Sequence, residues 1–384
     1  MKTILYSCPY VPAEWIAAHA LRPSRIVPRL GGEAHAGAAR WNGSGLCLLV
    51  RAWLGEAARR REESGLAAIV LSTTCDQMRR AAELVERVAD VPVFLMNIPS
   101  TWQTVAAQNL YGEELKRLGR FLVTLGGQRP SAETLARVML EFDEARAALR
   151  AARGRLSPKD FARALAEFQA AGSPDWRPGG ERLKCEPPSL MEPLPQANSV
   201  DCSPGRDDSP SAQDFSPGKS TVWPASPVGT TELNTGHHPI PLALVGEALL
   251  EQQMEIFDLI EQAGGRIDLD ASAMGERTLP APLDRRALKD DPLAALAEAY
   301  FGSIPDAMRR PNSALYQWLK INMAERGIRG IVFRRSLWCD LWNAEAQRMK
   351  EWALAPLLAL DLSDEERPNG STVSRIGSFL EMLA

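Results

Sequence analysis

Three cysteines, Cys47, Cys75 and Cys339, carry the strongest chemical signal in this 384-residue sequence. Cys75 and Cys339 each follow an apolar, strand-like run and directly precede an aspartate. Open α/β sheets bind their ligands outside the carboxyl ends of their strands, and thiolates brought together there can hold an iron–sulfur cluster. The pattern predicts electron transfer at such a cluster. Each cysteine taken alone is equally typical of a packed core residue, and the long spacing matches neither ferredoxins nor zinc ribbons.

The segments that must position these cysteines alternate between strand and helix. Short runs rich in apolar residues predict strands at 65–71, 91–95, 240–244, 266–269, 328–333 and 357–360, and the run at 65–71 is uniformly apolar. Amphipathic segments predict helices at 12–20, 45–61, 79–89, 103–125, 131–152, 157–171, 248–263, 292–302, 313–326, 341–353 and 371–383. This alternation predicts an α/β fold with parallel sheets in both halves of the chain.

Composition divides the chain into three parts. Proline, serine, glycine and aspartate dominate 173–238, which predicts a disordered insertion. On either side we predict an N-terminal α/β domain over 1–172, which binds the cluster, and a C-terminal α/β domain over 239–384. Cys185 and Cys202 lie within the insertion and are interpreted as ordinary thiols.

Charge and hydropathy exclude several classes of protein. A net charge of −4 offers no broad basic surface, so we expect no nucleic-acid partner. No apolar run approaches the ~20 residues of a membrane helix. Pro9, Pro12 and Glu14 interrupt the apolar stretch that a signal peptide would need, so we do not expect secretion. Six cysteines are too sparse for a disulfide scaffold. We therefore expect a cytoplasmic protein without a membrane partner.

Several segments carry a resemblance to a known family, and they follow one another in the family's order. They include TILYSCPYVPAEWIAAHALRPSRI, GLCLLVRAW, AAIVLSTTCDQMRRAAEL, VPVFLMNIPSTW, PIPLALVGEALL, GGRIDLDASAMGER, GIRGIVFRRSLWCD and SRIGSFLEML. Together they cover most of 1–170 and 239–384. The chain resembles the subunits of 2-hydroxyacyl-CoA dehydratases (the D-component) and of benzoyl-CoA reductases. The proline- and serine-rich segment has no counterpart in this resemblance.

The resemblance implies a cofactor, an activity and partners. In that family three cysteines per subunit hold a [4Fe–4S] cluster in the cleft between two Rossmann-like domains, and by position these are Cys47, Cys75 and Cys339. The implied activity is the anaerobic, radical dehydration of a 2-hydroxyacyl-CoA through a ketyl intermediate. The implied partners are an ATP-dependent iron–sulfur activator, an acyl-CoA substrate, and either a paralogous subunit or a second copy of the chain.

Two other functions remain open from the sequence. One is the reduction of an aromatic acyl-CoA by a benzoyl-CoA reductase-type enzyme, and the other is electron relay by an iron–sulfur protein without its own substrate.

Other residues near the cysteines allow two interpretations each. Cys8 is either a fourth thiol near the site or a packed, inert residue, and packing is the simpler expectation. Asp76 and Asp340 either orient groups around the cluster or cap the following helices. Arg334 and Arg335 either bind an anionic group of a ligand or partner, or form an exposed strand end.

Overall fold

The computed structural model describes residues 1–26, 41, 45–61, 63, 65–177, 238–336, 338–362 and 368–384. The described strands form two four-stranded parallel sheets. Both sheets belong to one compact unit, which consists of Met1–Leu183 and His238–Ala384. The predicted insertion lies almost wholly outside the described residues. The predicted domain boundaries therefore stay a prediction, whereas the α/β class with parallel sheets is confirmed.

The first sheet has the strand order β2-β1-β3-β4. Its strands are β1 (Thr3–Tyr6), β2 (Arg22–Arg25), β3 (Leu66–Ser72) and β4 (Val93–Met96). The described helices of this half are α1 (Ala13–Ala18), α2 (Leu48–Arg60), α3 (Asp76–Ala89), α4 (Val105–Thr124), α5 (Ala132–Ala152) and α6 (Pro158–Ala171).

The second sheet repeats this arrangement with the order β6-β5-β7-β8. Its strands are β5 (Ile240–Gly246), β6 (Gly265–Ser272), β7 (Gly330–Ser336) and β8 (Leu357–Leu362). Its α-helices are α7 (Glu255–Gln262), α8 (Arg285–Asp290), α9 (Pro292–Ala297), α10 (Ser313–Glu325), α11 (Asp340–Trp352) and α12 (Gly370–Leu383). Short 3₁₀ turns cover Glu251–Met254 and Glu276–Thr278, and a π-helical turn covers Glu298–Gly302.

Each sheet is covered by helices on both faces. Successive strand residues point to opposite faces, so Ile4 and Val70 pack towards α4 and α5, whereas Leu5 and Ile69 pack towards α2 and α3. The second sheet divides its central residues in the same way between a core with α7 and α12 and a core with α10 and α11. Burial on both faces explains why the central strands are uniformly apolar.

The strand orders place a topological switch point in each half. In the first sheet the chain leaves β1 towards β2 on one side and returns to β3 on the other side of β1. In the second sheet β5 lies between β6 and β7 in the same way. Ligands of open α/β sheets bind at the carboxyl ends of the two strands that flank such a point. These two strand pairs, β1 with β3 and β5 with β7, therefore mark where a site is expected.

Every predicted strand and helix corresponds to an observed element, although some bounds differ. β1, β2 and the short α8 were not predicted, and the segment predicted as one helix over 248–263 is a loop, a 3₁₀ turn and the shorter α7. The end of the helix predicted over 292–302 is the π-helical turn. No helix in the described part of the chain has the length and hydropathy to cross a membrane.

Candidate metal centre

One cavity lies at the carboxyl ends of both sheets, and all three predicted cysteines line it. Cys47 and Cys75 come from the first half of the chain and Cys339 from the second. The empty volume of the cavity is about 980 Å³, including its opening to solvent. The structure thus brings together residues that are far apart in sequence.

Cys75 and Cys339 occupy equivalent positions in the two sheets. The sequence S-x-x-C-D occurs at 72–76, directly after the core of β3, and again at 336–340, at the end of β7. In both copies the serine ends the strand and the aspartate is the first residue of the following helix. The two halves therefore share a short local repeat as well as a strand order.

Cys47 reaches the cavity from a different kind of element, the segment that leads into α2. The backbone N–H of Cys47 donates to Gln77 Oε1 at 3.0 Å, and Gln77 Nε2 donates to the Gly45 carbonyl at 3.3 Å. Gln77 belongs to the first turn of α3 and also lines the cavity. Its amide therefore fixes the segment of Cys47 beside Cys75, a role that the sequence analysis did not identify.

Each of the three cysteines is the N-cap of a helix: Cys47 of α2, Cys75 of α3 and Cys339 of α11. The Met78 N–H donates to Cys75 Sγ at 3.4 Å. Helix N-termini present unpaired N–H groups and a partial positive charge, so three of them at one cavity favour an anionic occupant. A capping role was one of the two predictions for Asp76 and Asp340. The N-caps are the cysteines instead, and each aspartate is the first residue of its helix.

Burial governs the acidity of the thiols. It raises the pKa of Cys47 to about 12 and that of Cys75 to about 11, with the charge of a neighbouring thiolate adding to the increase and N–H groups of the helix starts opposing it. The pKa of Cys339 is raised further by burial and by Glu247. Metal binding removes such protons because the thiolate is the ligand.

Cys8 is the fourth cysteine in the wall of this cavity. It follows β1, is 5% exposed, and has its pKa raised by burial. Its charge is among the influences that raise the pKa of Cys75. Both predictions for Cys8 are therefore met in part, because it is a buried, packed residue and it also lies at the site.

Glu247 occupies the position after β5 that corresponds to the segment of Cys8 after β1. It is 6% exposed, lies within 3.3 Å of Arg334, and accepts a hydrogen bond of 2.6 Å from the Ser336 hydroxyl. Arg334 is itself only 2% exposed. The expectation that both arginines form an exposed strand end is wrong for Arg334, because a buried carboxylate neutralises it. Arg335 pairs instead with Asp361 at the surface.

Two further arginines line the cavity. Arg277 lies 2.6 Å from Asp306, which also lines it, and this contact compensates the charge of Arg277. Arg25 is 3% exposed and makes no ion pair within the described part of the chain. The remaining wall is largely apolar and includes three tryptophans, Trp53, Trp338 and Trp342.

The donor set has the chemistry of an iron–sulfur site. No three His, Cys, Asp or Glu side chains in the described ranges are close enough to share a single metal ion. A cubane cluster does not require that proximity, because each of its thiolate ligands binds a different iron atom. Three thiols from three separate helix starts line this cavity, and thiolates are the ligands that iron–sulfur clusters use.

Fold and site define a parallel α/β protein with a thiol-lined cavity at two switch points. Comparison with known protein families identifies the family to which it belongs. The family described as 2-hydroxyglutaryl-CoA dehydratase, D-component, matches residues 8–172 and 234–383. The chain belongs to this family, as the sequence resemblance predicted. It is thus of the class of dehydratase-type enzyme components that act with partner subunits. No individual curated protein matches the chain.

Proposed function

We propose that this chain is the [4Fe–4S] subunit of a 2-hydroxyacyl-CoA dehydratase-type enzyme. The main observation behind this proposal is that Cys47, Cys75 and Cys339 line one cavity, each at the start of a helix. These three thiolates would hold the cluster and leave one iron without a protein thiolate. Family membership supplies the reaction class.

When bound, such a cluster would supply one-electron chemistry: an electron lent to the substrate thioester would make its β-hydrogen acidic enough to leave with the 2-hydroxyl as water, and the electron would be recovered when the enoyl product forms. The chain's own residues provide the setting. The N–H groups of the three helix starts stabilise negative charge in the cavity. The buried side chains of Trp53 and Trp342 make part of the wall apolar, and electrostatic interactions beside such a wall are screened less than in water.

An ATP-dependent iron–sulfur activator and a second subunit, either a paralogue or another copy, complete the proposed enzyme. The test is turnover of the anaerobically purified chain with its second subunit, the activator, a reductant, ATP and a series of 2-hydroxyacyl-CoA thioesters. We expect the corresponding enoyl-CoA to form and the Cys339→Ser variant to form none. Reduction of benzoyl-CoA without dehydration of any thioester would favour the reductase-type alternative instead.

Electron relay is the second candidate, and the position of Cys8 favours it. A fourth thiolate would bind the iron that otherwise has no protein ligand, so a substrate carbonyl could not bind there. The cluster would then only transfer electrons. Mössbauer spectra of the iron-loaded chain distinguish the two roles, because an iron with an oxygen ligand differs from one with four sulfur ligands. One oxygen-ligated iron per cluster supports the dehydratase; four equivalent sulfur-ligated sites, which become unequal in Cys8→Ser, support the relay.

A further inference from the structure

Among the described residues, the buried charges in the wall of the cavity do not balance. Of the two arginines in its wall, Arg277 has Asp306 beside it. Glu247, the buried glutamate in the wall, has Arg334 beside it. Arg25 remains as a cation that is 97% buried and forms no ion pair within the described residues.

The hydrogen bonds of Arg25 all go to neutral acceptors. Its Nη1 donates to Gln169 Oε1 at 2.8 Å, its Nη2 to the Ala273 carbonyl at 3.2 Å, and its Nε to the Ser7 carbonyl at 3.3 Å. These partners belong to α6, to the loop after β6 and to the segment after β1. Such bonds fix the guanidinium in place at the wall of the cavity but supply no compensating negative charge.

A buried charge without a counter-charge is unstable unless something compensates it. Burial accordingly lowers the pKa of Arg25, although the nearby Tyr6, Cys8 and Asp306 partly oppose this. The described residues supply no such anion, whereas an anionic occupant of the cavity would supply one. A cluster with three thiolate ligands is such an anion, and it gains one more negative charge when it is reduced.

We propose that Arg25 is the counter-charge of the cavity's anionic cluster and that it raises the reduction potential of that cluster. This inference rests on the proposed function. Arg25 acts here as a positioning and electrostatic residue: it stays protonated, and it favours the reduced state because its attraction grows with the negative charge of the occupant. Its bonds to both halves of the chain hold this charge at a constant place.

The test is a redox titration, followed by electron paramagnetic resonance, of the iron-loaded full-length chain. In Arg25→Gln the equilibrium constant for one-electron reduction should fall at least about tenfold, a shift of about 59 mV to more negative potential. Arg25→Lys keeps the positive charge, and its reduction potential should differ from that of the wild type by less than this shift. Arg22→Gln is the matched control, because Arg22 lies on the same strand but is exposed and outside the cavity wall, and it should show no shift.

An unchanged potential in Arg25→Gln would overturn the inference, and so would an equal shift in Arg25→Lys. If Arg25→Gln fails to retain iron, the reduction potential of Arg25→Lys is compared with that of the wild type. A tenfold lower equilibrium constant for reduction in Arg25→Lys would then contradict the role of the charge. Failure of the wild-type chain to bind iron would contradict the proposed function itself, which is a different outcome from an iron-loaded chain without the shift.

Discussion

At the scale of single residues, the site depends on how each buried charge is compensated. Glu247 and Arg334 form a buried pair between the end of β5 and the end of β7, and Ser336 adds a hydrogen bond to the same carboxylate. Removing one partner of a buried pair leaves the other uncompensated, which typically costs about 3–5 kcal/mol. This pair therefore couples the stability of the second sheet to the wall of the cavity.

We predict that Glu247→Ala lowers the free energy of unfolding of the metal-free chain by about 3–5 kcal/mol. Asp361→Ala is the matched control, because it removes the partner of Arg335 at the surface, where an ion pair contributes about 1 kcal/mol or less. Urea denaturation measures both. Equal, small losses in the two variants would contradict the assignment of Glu247 as the compensating charge of Arg334.

At the scale of elements, the turn after β5 requires a glycine. Gly246 pairs with Arg334 in the sheet and has a φ of +139°. A Cβ atom at this position would lie 1.8 Å from the Arg334 carbonyl oxygen. The close approach of the two strands at their carboxyl ends, where Glu247 turns into the cavity wall, is therefore possible only without a side chain.

We predict that Gly246→Ala destabilises the chain by several kcal/mol more than Gly264→Ala. Gly264 also has a positive φ, of +89°, but a Cβ there would meet no atom within 4 Å. Gly264→Ala should therefore show only the backbone strain of about 1–3 kcal/mol. Thermal unfolding of the two variants separates steric conflict from strain, and similar losses would show that the contact at Gly246 relaxes easily.

Much of the element order was predictable because burial on both faces makes the strands apolar. β3, β5 and β7 are such strands, and the rule that ligands follow strand ends was enough to select Cys75 and Cys339. β2 was missed because its sequence, RPSR, has two arginines and a proline, and the short apolar run TILY of β1 was not interpreted as a strand. Missing β1 also concealed that Cys8 follows a central strand.

The remaining parts of the site could not be predicted, because they depend on contacts between distant segments. Nothing in the sequence near Gln77 indicates that its amide holds the segment of Cys47. The same is true of the contact between Arg277 and Asp306 and of the isolation of Arg25. Electrostatic compensation is a property of the folded chain and becomes visible only when the neighbours of each charge are known.

At the scale of the whole molecule, one buried carboxyl group links stability to pH. Burial raises the pKa of Asp270 in β6 from 3.8 to about 6, although hydrogen bonds from Ser272 oppose the increase. The folded chain therefore binds this proton more tightly than the unfolded chain does. It follows that Asp270 destabilises the fold progressively as the pH rises from about 4 to about 6.

We predict that Asp270→Asn removes this dependence. Relative to the variant, the wild type should lose on the order of 3 kcal/mol between pH 4 and pH 7, with the difference constant above pH 7. Urea denaturation of both proteins across this pH range measures the difference and cancels the other titrating groups. A difference that does not change with pH would show that Asp270 is ionised in the fold without penalty.

The two halves of the molecule have the same strand order and the same S-x-x-C-D sequence, yet they contribute unequally to the site. The first half supplies Cys8, Cys47 and Cys75, whereas the second supplies Cys339 together with Glu247 at the position that corresponds to the segment of Cys8. A site made from both halves requires both sheets to be folded. Binding of a cluster should accordingly stabilise the chain as a whole.

The central claim is that the three helix-capping cysteines hold one four-iron cluster, and iron content tests it most directly. Anaerobically purified wild-type chain should contain about four irons, and Cys47→Ser, Cys75→Ser and Cys339→Ser should each lose most of that iron. Cys202→Ser, in the predicted insertion, is the control and should retain it. Iron retained at the wild-type level in all three ligand variants would contradict the account.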